Sequence, residues 1–130
     1  MQSGIVLFAH GSRDPLWRLP IEAVREQIAA RHPDRPVRCA YLELCTPDLS
    51  QAVADLLAHG VDHVTVVPMF LGTGRHARDD LPLLVAALHE RHPGVRFTVQ
   101  SPIGEDPRMT ALMAAIATES EEKQPPGSIS

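Results

Sequence analysis

The chain has 130 residues, enough for one compact domain with one core and too short for two. An apolar share of 44% with 22% charged residues is that of a folded globular protein, not a disordered one. A net charge of -4 speaks against general nucleic-acid binding, and no apolar run approaches the roughly 20 residues that span a bilayer, so neither a nucleic-acid nor a membrane partner is expected.

The first element expected is a buried strand over Ile5–Ala9, short, apolar and closed by Gly11. Asp14 as N-cap and Pro15 at the first helical position predict a helix from Pro15 to Arg31, stopped by His32-Pro33. Val37–Leu42 reads as the second strand. Thr46-Pro47-Asp48 then opens a helix bearing Leu49, Val53, Leu56 and Leu57, with Gly60 as the stop.

Val61–Met69, rich in valine, is the strongest strand pattern, and the next helix is expected from Asp80 to His92. Val95–Val99 is the fourth strand, and Asp106-Pro107 starts a last helix through Met109, Leu112, Met113 and Ile116. From Glu119 the sequence is polar with a Pro125-Pro126-Gly127 break, so residues 1–119 are read as the domain and 120–130 as a disordered tail. The order βαβαβαβα predicts an α/β fold, a three-layer sandwich around a four-stranded parallel sheet with right-handed crossovers.

Two short segments echo each other: Ala30-Arg31-His32-Pro33 and Glu90-Arg91-His92-Pro93 each end a helix, and Arg13-Asp14 and Arg78-Asp79 each precede one. Cys39 and Cys45 are expected as free thiols. No basic leader followed by an apolar core is read at the amino terminus, and the expected location is the cytoplasm.

In open parallel sheets ligands bind beyond the carboxyl ends of the strands. His10 and His76 both fall on loops at that edge, each after a short apolar run. Of the other histidines, His32 and His92 read as helix caps, His59 and His89 sit at helix ends or faces, and His63 begins a strand. Imidazole binds borderline transition metals and accepts protons near neutrality, so a metal-handling site at His10 and His76 is the first reading. Glu43, just past the second strand, could complete a mixed nitrogen and oxygen donor set or be a solvated loop residue.

Eleven of the 12 basic residues are arginine, and Arg13, Arg75 and Arg78 lie beside the two histidines. Guanidinium forks suit carboxylates, so the expected partner is a small anion. Arg78 could instead pair with Asp79 or Asp80. Gly72-Thr73-Gly74 lacks Walker spacing and a lysine, which speaks against a nucleotide site.

Phe8-Ala9-His10-Gly11-Ser12-Arg13, Tyr41-Leu42-Glu43 with Pro47, and Phe70-Leu71-Gly72-Thr73-Gly74-Arg75-His76 followed by Asp79-Asp80-Leu81-Pro82 resemble the short form of the CbiX family of sirohydrochlorin chelatases. The resemblance runs from about Ile5 to the last helix. It implies a chelatase-like half-domain, paired as a homodimer around a shared cleft. It also implies ATP-independent insertion of a divalent metal, Co2+ foremost and Fe2+ or Ni2+ in relatives, into sirohydrochlorin or a related tetrapyrrole, in cobalamin or siroheme biosynthesis. The metal is substrate and no permanently bound cofactor is implied. By resemblance His10 and His76 are the catalytic and metal-site histidines, with Glu43 at an acidic position beside them. The substrate's carboxylates are expected on Arg13, Arg75, Ser12, Thr73 and Arg78.

Two other classes stay open at this level. One is a phosphohydrolase or phosphotransferase with His10 as acceptor, although histidine phosphatases carry arginine where this chain has Ala9. The other is a non-catalytic metal or tetrapyrrole carrier, which would need the same ligands.

Overall fold

The computed structural model describes the backbone from Gln2 to Lys123 and side chains as far as Glu119. Four strands, β1 (Ser3–Ala9), β2 (Val37–Tyr41), β3 (His63–Pro68) and β4 (Arg96–Val99), form one sheet in the order β2-β1-β3-β4. Every neighbouring pair is parallel, with Leu7 opposite Cys39 on one side and Val67 on the other. The expected α/β class is therefore present.

Alternation along β1 builds two cores, because successive side chains point to opposite faces. Val6 and Phe8 join Ala40, Val64 and Val66 under α2 (Leu49–Ala58) and α3 (Arg75–Arg91), which contribute Leu49, Ala52, Val53, Leu56, Ala77, Leu81, Val85 and Leu88. Leu7 and Ala9 join Val37, Cys39 and Tyr41 under α1 (Leu19–Arg31), which offers Ile21 and Ile28 but buries no residue fully. Helices thus cover both faces, and the α2/α3 side is the thicker.

Two helix starts differ from expectation. α1 begins at Leu19, because Pro20 and not Pro15 takes the first-turn position. Asp14 caps a separate turn, its carboxylate accepting from the Leu16 N–H at 2.9 Å. α2 starts as expected, with Asp48 and Gln51 forming a reciprocal capping box. α3 begins at Arg75, five residues before the expected Asp80, since the buried stripe already starts at Ala77. Pro82 lies inside the helix.

The two His-Pro stops are alike in detail. His32 and His92 adopt φ/ψ of -132°/68° and -130°/69°, and each N–H reaches the carbonyl four residues back, Ile28 and Leu88. A short 3-10 turn, Ile103–Glu105, leads to α4 (Pro107–Lys123), whose start is capped by Asp106 as the Asp-Pro pair predicts. Arg108 beside it holds the Asp106 carboxyl down to about 2. α4 passes the expected Glu119 boundary, and most of the expected tail, residues 124–130, lies outside the described residues. Cys39 and Cys45 are free. Among the described residues no helix is long and apolar enough to cross a membrane.

Candidate metal centre

From β1 the chain steps outward to β2, then crosses to β3 and β4 on the other side. The loops after β1 and β3 diverge at that reversal and leave a crevice where ligands bind in such sheets. His10 follows β1 directly. Its ring lies on Phe70, with centroids 4.3 Å apart and planes inclined at 37°. Phe70 is itself buried and meets Phe8 edge-on at 6.1 Å. The imidazole therefore rests on an aromatic shelf supplied by the loop after β3.

Glu43 is brought beside His10 by backbone bonds that continue the β1–β2 ladder past the strands. The Leu42 N–H donates to the Ala9 carbonyl at 2.9 Å, and the Glu43 N–H donates to the His10 carbonyl at 3.1 Å. Gly11 makes this closeness possible: it has φ +102°, and a Cβ there would fall 1.8 Å from the Glu43 carbonyl oxygen. Any other residue must push the two loops apart. Gly104 joins the remaining loops in the same way, since its Cβ would lie 2.1 Å from the Leu71 carbonyl oxygen.

His76 stands on the first turn of α3, not in the loop where the sequence placed it. Its Nδ1 is 4.0 Å from Glu43 Oε1, and its Nε2 is 2.8 Å from Asp80 Oδ2 one helical turn on. Asp80 is the group that sequence reasoning missed. Its signal is the i,i+4 spacing from His76, legible only once the helix is known to start at Arg75. The side chains of His76, Glu43 and Asp80 are 65%, 50% and 40% exposed, so these contacts contribute about 0–1 kcal/mol each and act by orienting the groups.

The expected polar residues divide between two places. Arg13 and Arg75 are exposed at the crevice edge, and Arg75 reaches Asp79 at 4.0 Å. Ser12 is drawn into the turn, its Oγ accepting from the Asp14 N–H at 3.0 Å. Thr73 and Arg78 line an apolar groove of about 550 Å³ between α3 and β4, with Leu81, Val85 and Val99, that adjoins the crevice through Phe70. The alternative pairing of Arg78 with Asp79 or Asp80 does not occur among the described residues; Asp79 faces Arg75 and Asp80 faces His76.

Beneath the β1–β2 loops, burial pushes the Tyr41 phenol up to about 12 and also raises the Cys39 thiol. The side chains of three of the five other histidines have partners in the scaffold. His59 Nδ1 bonds the Asp55 carbonyl at 2.7 Å, His63 Nε2 bonds Thr98 Oγ1 at 2.9 Å, and the His89 ring meets Phe97 at 5.0 Å. In the single chain the site is poised but open: among the described residues no three His, Cys, Asp or Glu side chains close on one point. It can offer an ion imidazole nitrogen and carboxylate oxygen from one side and leave the opposite side free.

Comparison with known proteins identifies relatives of the whole fold. The CbiX family profile matches residues 4–120. The sirohydrochlorin cobaltochelatase of Saccharolobus solfataricus is 30% identical over 126 residues, covering 92% of this chain and 97% of that protein. Among solved structures, one from Marinobacter aquaeolei VT8 named as a cobalamin biosynthesis CbiX protein superimposes with a TM-score of 0.81 at 34% identity, covering 94% of this chain and 99% of that one. The sirohydrochlorin chelatase SirB of Bacillus subtilis subspecies spizizenii, in complex with cobalt, matches with a TM-score of 0.77 at 28% identity. That match takes in 95% of this chain but 51% of SirB, so the chain spans about half of SirB's length.

Proposed function

The chain belongs to the CbiX family, and on that premise we propose that it inserts a divalent metal, Co2+ first and Fe2+ or Ni2+ as alternatives, into sirohydrochlorin without ATP. The observation that carries this reading is the meeting of His76 with Glu43, 4.0 Å apart, beside the loop that holds His10. Neutral imidazole and carboxylate hold a borderline metal without trapping it. As the ring nitrogens of the tetrapyrrole replace water and protein donors on the ion, two pyrrole protons leave. Imidazoles freed of metal are placed to accept them. The carboxylate arms of the substrate have Arg13 and Arg75 at the crevice edge as charge-assisted donors, and Thr73 and Arg78 are a secondary contact along the groove. Ser12 contributes by holding the turn that carries Arg13.

Two copies of the chain form the working unit in this proposal. Its support is that SirB is about twice as long and that His10, His76 and Glu43 leave one side open. A two-fold axis would present the same groups again across the cleft. The relatives' activity favours chelation over phosphoryl transfer, as does the buried Ala9 before His10 where an arginine would be needed.

The test is anaerobic conversion of sirohydrochlorin by Co2+, followed by absorbance with substrate in excess over protein. Wild-type chain should give many turnovers above the uncatalysed rate, with His10→Ala and His76→Ala near background. A single turnover identifies a carrier, and no acceleration sinks the proposal.

A further inference from the structure

Asp80 has a place in this site that neither its neighbours nor packing demand. It occupies the second turn of α3, one helical turn on from His76, and its carboxylate Oδ2 stands 2.8 Å from Nε2. The adjacent acid, Asp79, is turned to Arg75 instead. With Nε2 engaged, the only ring nitrogen of His76 left to the crevice is Nδ1, the one that faces Glu43. We propose that Asp80 is a positioning residue: it fixes hydrogen on Nε2 of His76, so that Nδ1 carries the lone pair and takes the metal together with Glu43.

The physical basis is general. A ligating imidazole has two inequivalent nitrogens, and the hydrogen bond made by one decides which tautomer is present and which way the ring faces. Here helix geometry supplies the constraint, because residues four apart on α3 lie on one face. A ring held from below need not spend rotational freedom when the ion arrives. Pro82, inside the same helix two residues beyond Asp80, has its φ fixed by its ring.

This inference rests on His76 being a metal ligand in the proposed function, and its test has readouts that do not depend on chelation. Nitrogen-15 NMR of the histidine-labelled, metal-free chain should place the His76 hydrogen on Nε2, and added Zn2+ should shift Nδ1. Hydrogen on Nδ1, or a zinc shift at Nε2, overturns it without any variant. In a Co2+ titration followed by absorption, Asp80→Ala should raise the Kd about tenfold, the lower end for loss of an outer-shell partner. Asp80→Asn, whose amide oxygen still accepts from Nε2, should bind close to wild type. In turnover, Asp80→Ala should raise KM for Co2+ with kcat little changed. Wild-type Co2+ affinity in Asp80→Ala contradicts the role, and equal loss in both variants makes Asp80 a ligand itself. A chain that binds Co2+ as described but does not metallate sirohydrochlorin overturns the proposed function and leaves this inference standing.

Discussion

His10 and His76 reach the same crevice by opposite means. His10 leaves the buried end of β1, Val6 to Ala9, and lies on Phe70, so its position is set by apolar packing and by backbone bonds to the loop of Glu43. His76 stands on an exposed helical turn, and its position is set by two carboxylates, Glu43 and Asp80. The first arrangement is backed by the core, because the ring's shelf, Phe70, is itself buried. The second is held by exposed polar contacts, which orient the ring but are individually weak. In the proposed function the two are complementary: one ring seated by packing and one oriented by carboxylates.

The contrast makes graded predictions. Phe70→Ala should cost about 3–5 kcal/mol in urea unfolding, because it empties a core position shared with Phe8, and it should also remove the His10 shelf. Phe70→Leu, retaining most of the volume, should recover most of that stability while leaving metallation impaired. If both variants metallate at the wild-type rate, the shelf has no role in holding His10.

Tyr41 is the chain's one tyrosine, so ultraviolet titration of the phenol reads it alone. It should ionise near 12 and not at the ordinary 10, because burial disfavours the anion. Below pH 10 the phenol is protonated in folded and unfolded chains alike. Between pH 10 and about 12 only the unfolded chain ionises, so stability should fall as pH rises, by about 2–3 kcal/mol in all. Ionisation at 10 would mean that the loops over β2 admit water freely.

Gly11→Ala should lower stability by about 1–3 kcal/mol through its left-handed φ and its clash with the Glu43 carbonyl, and should slow metallation by displacing Glu43. Glu43→Gln should leave unfolding within about 0.5 kcal/mol of wild type, since the side chain is exposed, yet weaken Co2+ binding about tenfold. The two variants separate placement of the carboxylate from its charge.

Strand order of appearance, the parallel class and the edge where His10 and His76 lie were all readable from apolar runs and their alternation with helical patterns. Helix starts were harder. Pro15 and Pro20 both suit a first turn, and α1 buries no residue that would have marked its beginning. For α3, the pattern read from Asp80 began five residues late, since the buried stripe already starts at Ala77. That displacement hid the most informative contact, since His76 and Asp80 are partners only on a shared helix. The Phe70 shelf was equally hidden, because it joins loops after two different strands and has no local signature.

The shared site itself is most directly tested by equilibrium Co2+ binding to His10→Ala and His76→Ala, each confirmed folded by its unfolding curve. Both substitutions should weaken binding on the order of 100-fold, at least the upper range seen for loss of an outer partner, because each removes a donor from one site. Wild-type affinity in either variant would show that the two histidines do not hold the same ion.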